Sequence, residues 1–251
     1  MRIIPVIDLM HGKAVHAVAG ERERYTPVKK SVLVRDYSTL SIAKALQDLG
    51  LDELYIADLD AICQIGHNHD LIGQIVAETG MKVMVDAGFR FADEVSEYVD
   101  EGVEKIVLAT ETLESFEEIP KVINDYKAQV IASVDIKSGQ VIAESDSMQL
   151  PLAELIRKFE GKGASEIIIL SLDRVGTERG PDLESLKLAL QCKSMPILVG
   201  GGVRNIEDVH LLCAQGAVGV LVSTALHKGI ITKNDLGRLS EMGKVPSVDI
   251  S

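Results

Sequence analysis

Several features that other classes of protein require are missing from this sequence of 251 residues. Tryptophan is absent and aromatic residues make up only 4% of the chain, so few rings are available for nucleic-acid bases to stack on. Acidic residues outnumber basic ones by 38 to 26, which gives a formal net charge of −12. Such a charge argues against nonspecific binding to nucleic acids and to anionic membranes. We therefore expect a small-molecule ligand, with neither nucleic acid nor membrane as a partner.

Cysteines and long apolar runs are also scarce. The three cysteines, Cys63, Cys192 and Cys213, are scattered and odd in number, which predicts neither a disulfide framework nor a zinc cluster and suits a reducing compartment. No uninterrupted apolar run reaches the roughly 18 residues of a membrane span, and the first residues lack the pattern of a signal peptide. These absences predict a cytoplasmic protein.

Eight short apolar segments, separated by segments of helical periodicity, run through the chain. The predicted strands are residues 2–8, 54–57, 83–85, 105–108, 130–134, 166–170, 196–199 and 219–222. The predicted helices are residues 41–50, 71–78, 93–100, 117–126, 152–162, 183–190 and 206–214. The strands are continuously apolar rather than alternating, which is typical of a parallel sheet covered on both faces. Eight β/α units in this length predict a (β/α)8 TIM barrel, one domain over residues 1–251, with a doubly wound sheet as the alternative.

An internal repeat favours the closed barrel. Residues 85–113 align without a gap with residues 199–227, at an offset of 114 (199 − 85). The identical pairs are Val85/Val199, Gly88/Gly202, Arg90/Arg204, Val95/Val209, Gly102/Gly216 and Thr110/Thr224. A strand–loop–helix–strand unit is thus used twice. Two equivalent four-stranded halves can complete a ring.

A glycine triplet in the second repeat predicts an anion site. Gly200, Gly201 and Gly202 follow an apolar strand and precede a helical pattern, so backbone N–H groups and the helix dipole could receive a phosphate. A tight turn without a ligand is the alternative. Ser223 and Thr224, at the end of the next strand, would add hydroxyl donors. The corresponding residues of the first repeat are Gly88 and Thr110.

Two aspartates stand at equivalent strand ends. Asp8 ends the first strand and Asp135 the fifth, at an offset of 127 (135 − 8), and each is followed four residues later by a glycine. Strands 1 and 5 face each other across an eight-stranded ring, so the two carboxyls would flank a bound substrate as general acid and base. The alternative is that each aspartate only orders the loop that follows it.

Other polar residues follow strands 2 and 6. Asp58 and its repeat equivalent Ser171 could orient substrate hydroxyls, and Thr177, in a polar loop, could touch substrate. Binding to backbone or solvent is the alternative for the first two, and turn geometry for the third. A metal site is not expected, because His67 and His69 have no third ligand cluster elsewhere in the sequence.

These motifs together resemble the HisA/HisF family of histidine biosynthesis, whose members are ProFAR isomerase and the cyclase subunit of imidazole glycerol phosphate synthase. The residues that carry the resemblance are Arg2 to Leu9 with Gly12 and Lys13, Asp58-Leu59-Asp60, the strand end 132–135 and the glycine triplet. It covers essentially the whole chain to about residue 229 and is nearer to the isomerase than to the cyclase. The resemblance implies a duplicated half-barrel, a substrate with a phosphate at each end, Asp8 as base and Asp135 as acid. The implied chemistry is an Amadori-type aldose–ketose isomerisation by proton transfer, which needs no cofactor and no metal.

The chain departs from the family pattern at substrate contacts. Asp86-Ala87-Gly88 stands where the first half usually has three glycines, and Ser171 and Val175 stand where aspartates are usual. Ser223-Thr224 replaces a common glycine and polar pair, and a usual tryptophan after strand 5 is missing. A carboxylate beside a phosphate is repulsive. These departures suggest an altered, singly phosphorylated substrate.

The sequence therefore predicts a phosphosugar isomerase. A cyclase or lyase on the same scaffold and a non-catalytic phosphate-binding relative are the alternatives. The charged segment 20–25 is expected to form a lid over the barrel mouth. The oligomeric state is not specified by any of these patterns.

Overall fold

A computed structural model describes residues 1–192 and 195–242, with side chains through residue 239. Its barrel strands are β1 (Arg2–Met10), β2 (Glu53–Asp58), β3 (Lys82–Asp86), β4 (Lys105–Ala109), β5 (Gln129–Lys137), β6 (Glu166–Ser171), β7 (Ile197–Gly200) and β8 (Gly219–Val222). Each strand pairs in parallel with the next, and β1 pairs with β8 from Arg2 opposite Gly219 to Pro5 opposite Val222. The sheet is closed, which confirms the predicted TIM barrel and excludes the doubly wound sheet. The predicted domain, 1–251, also includes residues 193, 194 and 243–251, which lie outside the described part.

Within the described ranges, each barrel strand is followed by one helix of at least five residues. These helices are α1 (Thr39–Asp48), α2 (His69–Thr79), α3 (Ser96–Asp100), α4 (Glu118–Tyr126), α5 (Leu152–Gly161), α6 (Leu183–Leu190), α7 (Ile206–Gln215) and α8 (Lys233–Met242). Several begin at a side chain that accepts a backbone N–H, as Ser38 does for α1 and Asp182 for α6, because the first turn of a helix has no internal acceptors for its N–H groups. No helix among the described residues is long and apolar enough to cross a membrane.

The structure adds short elements that the sequence patterns did not predict. Four-residue helices, Leu59–Ile62 and Thr224–His227, follow β2 and β8, and a hairpin of Lys13–His16 and Thr26–Pro27 occupies the predicted loop after β1. The predicted helix 93–100 begins as a 3-10 turn, Ala92–Val95, before α3. Elements of two to four residues are too short to show a hydrophobic period.

The apolar side chains form two layers. One fills the barrel and includes Ile4, Met84, Val107, Ile131, Ile168 and Leu198, all fully buried. The other lies between the strands and the helices, where Ile7 and Ile56 pack with Ile42 and Leu46 of α1. Because successive residues of a strand point to opposite faces, a strand buried on both faces is apolar throughout.

Charged residues close the N-terminal end of the barrel. Arg2, Glu53, Lys105 and Glu166 are the first residues of β1, β2, β4 and β6. Arg2 donates to Glu53 at 3.3 Å and to Glu166 at 2.6 Å, and the buried Lys105 ammonium also donates to Glu53. Each buried charge at this end has a partner of opposite sign.

The two repeats use the same connection between strand and helix. Gly88 and Gly202 both have a positive φ, of 68° and 81°. Two residues later, the N–H of Arg90 donates to the Glu94 carboxylate at 2.5 Å, and that of Arg204 to the Asp208 carboxylate at 2.9 Å. A carboxylate near the start of each helical segment therefore holds the loop that precedes it.

Candidate active site

A cavity of about 330 Å³ opens at the C-terminal ends of the barrel strands. Both halves of the chain line it, and its polar lining includes Asp8, Asp86, Glu111, Asp135, Lys137, Gly201, Gly202, Ser223 and Thr224. Ligand sites of TIM barrels lie at this end because the loops after the strands meet there. The cavity is therefore the candidate active site.

Asp8 lies near the end of β1 and faces the cavity. Its carboxylate makes no hydrogen bond or ion pair with any residue that the structure describes. Burial raises the pKa of the Asp8 carboxyl from 3.8 to about 7, because removing a carboxylate from water disfavours its charged form. A carboxyl of this kind can exchange a proton with a ligand near neutral pH.

Asp135 lies within β5 and is 3% exposed. The Ser133 hydroxyl donates to its Oδ1 at 3.1 Å, whereas Oδ2 has no hydrogen-bond partner among the described residues. Burial, and then the negative charges of Asp86 and Glu111, raise the pKa of the Asp135 carboxyl to about 8. A carboxyl with this pKa carries a proton at pH 7 and can act as an acid.

Asp86 is a third carboxyl in the cavity, is 7% exposed and lies at the end of β3. Its Oδ1 accepts the Gly88 N–H at 3.0 Å, and its Oδ2 accepts the Tyr55 hydroxyl at 3.2 Å. Burial is the main cause that raises the pKa of Asp86 to about 6. In the sequence, Asp86 is recognisable only as a departure from the glycine loop that the family usually has in the first half. Its contact with Tyr55, 31 residues away in the chain, could not be predicted from the sequence.

The segment 20–25 lies over the mouth of the cavity, and Gly20, Arg22 and Tyr25 line it. The Arg22 guanidinium donates to both oxygens of Glu111, at 2.9 and 3.1 Å. This ion pair joins the segment after β1 to the segment after β4 across the mouth. Its position is consistent with a lid, which remains a prediction.

The glycine loop and the end of β8 form one side of the cavity. Gly201, Gly202, Ser223 and Thr224 line it, whereas Gly200 is the last residue of β7 and does not. In the described structure the N–H groups of Gly202 and Val203 donate to no protein acceptor. The N-terminus of α7 is already capped by Asn205, which accepts the Asp208 N–H, so anion binding here would use loop N–H groups and hydroxyls.

The remaining predicted site residues lie outside the cavity lining. Asp58 is fully buried and accepts hydrogen bonds from the backbone and amide of Asn68 and from the Tyr98 hydroxyl at 2.7 to 2.8 Å. Thr177 bonds the Arg174 carbonyl within a turn, and the buried Ser171 ends β6 beside a separate surface depression. Gly88 and Thr110 have their N–H groups bonded to Asp86 and to the Ser133 carbonyl. These positions order loops and strand ends in this structure.

A histidine and two acidic residues converge on the outer surface. His69, Asp70 and Glu101 offer atoms within 4.8 Å of one another, and the His67 ring stacks on His69 with centroids 4.2 Å apart. None of them lines the cavity. His69 and Glu101 are partly exposed and Asp70 is exposed, and such acidic groups commonly hold no metal.

The structure is a (β/α)8 barrel whose candidate active site is lined by residues of both halves. The chain belongs to the family described as histidine biosynthesis protein, whose model matches residues 2–232. The resemblance seen in the sequence is thereby confirmed.

Individual relatives match along nearly their whole length. An uncharacterised protein of Methanocaldococcus jannaschii is 32% identical over 238 residues, covering 94% of this chain and 97% of the relative. The 1-(5-phosphoribosyl)-5-((5-phosphoribosylamino)methylideneamino) imidazole-4-carboxamide isomerase of Nitrosopumilus maritimus is 31% identical, covering 95% of this chain and 99% of the relative. The isomerase of the same name from M. jannaschii is 30% identical, with 97% and 100% covered.

Proposed function

We propose that the protein is an isomerase that converts a phosphorylated aldose derivative to the corresponding ketose by acid–base catalysis. The observation that carries the proposal is the presence of Asp8 and Asp135, both with pKa values raised to near neutrality, in one cavity. An aldose–ketose conversion needs one group that releases a proton and one that accepts a proton. The two carboxyls can supply both.

The pKa values support the division of roles that the family resemblance implies. Asp135, with the higher pKa, is protonated at pH 7 and donates to the ring oxygen as the bond from that oxygen to C1 breaks. Asp8, whose pKa of about 7 is below that of Asp135, is the more readily ionised of the two and removes the proton from C2. The resulting enol gains a proton at C1 and loses its hydroxyl proton, which leaves a ketone at C2. Substrate and product are isomers, so proton transfer alone completes the reaction.

A phosphate is assigned to the side of the cavity formed by Gly201, Gly202, Ser223 and Thr224. The free N–H groups there and the hydroxyls of Ser223 and Thr224, which make no hydrogen bond within the described structure, are suited to phosphate oxygens. Holding the phosphate at this side would position the sugar carbons between the two aspartates.

The relatives support an isomerase and leave room for an altered substrate. Two of them are named isomerases of the phosphoribosyl compound given above, at about 30% identity. M. jannaschii contains, beside its isomerase, the uncharacterised relative that is 32% identical to this chain. One organism thus has two relatives of this chain, of which one is named as the isomerase, and the other has no need to repeat that reaction.

The experiment is a turnover screen in heavy water with ProFAR and with simpler aldose phosphates. An isomerase would introduce solvent deuterium at C1 of the product, which NMR detects. Growth of an isomerase-deficient strain carrying this gene would point to ProFAR itself. Asp70→Asn, a change of an exposed aspartate outside the cavity, is the matched control for Asp8→Asn and Asp135→Asn. A folded protein that converts no aldose phosphate would contradict the proposal.

A further inference from the structure

The two repeats present different groups at equivalent positions of the cavity. Asp86 in the first repeat corresponds to Gly200 in the second, by the offset of 114. In the first repeat the Asp86 carboxylate accepts the N–H of Gly88 at 3.0 Å. In the second, the N–H of the equivalent Gly202 has no protein acceptor within the described structure. In the first repeat, the Asp86 carboxylate therefore occupies the N–H group to which a phosphate could bind. In the second repeat, the equivalent N–H group is available to an anion.

A second donor of the first repeat is also occupied. The N–H of Thr110 donates to the Ser133 carbonyl at 2.9 Å, and the Thr110 hydroxyl accepts the Asp135 N–H at 3.3 Å. Thr110 is fully buried, whereas its equivalent, Thr224, lines the cavity. Two groups that could receive a phosphate in the first half are thus engaged within the protein.

The cavity lining has more acidic than basic side chains. Arg22 pairs with Glu111, and Glu178 pairs with Lys228. Three acidic residues, Asp8, Asp86 and Asp135, remain without a basic partner among the described residues, and Asp86, whose pKa is about 6, is the most readily ionised of them. Lys137 is the one other basic residue in the lining that the structure describes. Like charges at close range in a poorly hydrated site repel strongly. A second phosphate would add to this repulsion, and a cation would relieve it.

We propose that the substrate carries one phosphate and, at its other end, a protonated amino group that the Asp86 carboxylate binds. This assignment rests on the proposed function, because it names the substrate class of the same cavity. An ammonium supplies three hydrogen-bond donors. Each oxygen of Asp86 accepts one hydrogen bond from the protein, Oδ1 from Gly88 and Oδ2 from Tyr55, and each carboxylate oxygen can accept a second one. Hydrogen bonds between opposite charges are stronger than neutral ones. Asp86 is thereby a specificity-determining residue.

The test is a binding comparison by calorimetry with three probes at pH 7.5. They are glucosamine 6-phosphate, glucose 6-phosphate and fructose 1,6-bisphosphate. The amino sugar should bind more tightly than the neutral sugar by about 10-fold or more, the scale of one charge-assisted hydrogen bond. The bisphosphate should bind no more tightly than the neutral sugar phosphate.

Two variants separate the charge of Asp86 from its occupation of the Gly88 N–H. Asp86→Gly copies the residue of the second repeat, removes the carboxylate and frees the N–H, so it should lose the preference for the amine and gain affinity for the bisphosphate. Asp86→Asn keeps an oxygen that can accept the Gly88 N–H but removes the charge. It should lose the amine preference and gain less bisphosphate binding than Asp86→Gly. Thermal unfolding of each variant checks that it is folded, and Asp86→Asn remains a test if Asp86→Gly is not.

Several outcomes would overturn the inference. They are tightest binding of the bisphosphate by the wild type, an amine preference that both variants retain, and the absence of binding by any monophosphate. Turnover is not needed for these measurements. If the probes bind in the predicted order but no aldose phosphate is isomerised, the proposed function is refuted and the inference stands. If a bisphosphate is isomerised, the inference is refuted and the proposed function stands.

Discussion

The two ends of the barrel treat buried charge in opposite ways. At the N-terminal end, Arg2 and Lys105 hold Glu53 between them. At the C-terminal end, Asp8, Asp86 and Asp135 share one cavity and have no basic side chain bonded to them in the described structure. Charges that only stabilise a fold are satisfied within it. Carboxyls left without a cation raise the free energy of the folded state and are available to a ligand.

The largest expected effect comes from breaking the paired end. Lys105→Met should lower the free energy of unfolding by about 3 kcal/mol, the low end for removal of one partner of a buried pair, because Arg2 still contacts Glu53. Denaturant unfolding measures the loss, and kcat should not change. The double variant Glu53→Gln/Lys105→Met should recover most of the stability, because the carboxylate that had lost its lysine partner is then uncharged.

An exposed pair provides the matched control. Lys162→Met breaks the ion pair with Glu117, whose side chain is 66% exposed, and should cost less than about 1 kcal/mol. Equal losses for Lys105→Met and Lys162→Met would contradict the view that the network at the N-terminal end is a buried one.

The next effect concerns the unpaired end. Asp8→Asn and Asp135→Asn should each lower kcat by about 100-fold or more, the scale of general acid–base catalysis, which corresponds to about 2.7 kcal/mol in the activation barrier. The measurement is steady-state kinetics on the substrate found in the screen. Wild-type kcat in either variant would remove that residue from the mechanism.

The smallest effect is in the pH dependence of stability. Because the folded-state pKa values of Asp8 and Asp135 lie above the ordinary 3.8, the folded protein binds protons more tightly than the unfolded chain between about pH 4 and 8. Their contribution to stability is therefore present below pH 4 and is lost as the pH rises through this range. From pH 5 to pH 8, the difference in free energy of unfolding between Asp135→Asn and the wild type should consequently shift in favour of the variant by at least about 1 kcal/mol.

The comparison between variant and wild type is needed because His227 acts in the opposite direction. Burial lowers the pKa of His227 to about 4, so this residue destabilises the folded protein as the pH falls from 6.5 toward 4. The histidine is the same in both proteins and cancels in the difference. Denaturant unfolding measures the free energy of unfolding of the wild type and of Asp135→Asn, each at pH 5 and at pH 8. A difference that does not change with pH would show that Asp135 titrates at its ordinary pKa.

The barrel could be predicted from the sequence because its signal is local and repeated. Each strand is a continuous apolar run, and the repeat of residues 85–113 in residues 199–227 supplies the closure. Asp8 and Asp135 belong to strands 1 and 5, at an offset of 127, and they share one cavity because these strands face each other across the closed ring. The four-residue helices were missed because a single turn has no periodicity to detect.

The rest of the site depends on distances that a sequence does not contain. Tyr55 and Asp86, and Arg22 and Glu111, are 31 and 89 residues apart and meet only when the sheet closes. Asp58 has the sequence position of a substrate contact, but its oxygens are used by Asn68 and Tyr98. Which polar strand end is bonded within the protein and which is open to a ligand is decided by tertiary contacts.

The carboxylates that hold the strand–helix connections have a consequence for how this protein can change. Glu94 and Asp208 fix the two loops from the helix side, through the N–H groups of Arg90 and Arg204. The positions just upstream, Asp86 and Gly200, can then differ without loss of the connection. In a duplicated half-barrel of this kind, a single substitution can therefore change the groups that one half presents to the cavity and leave the other half unaltered.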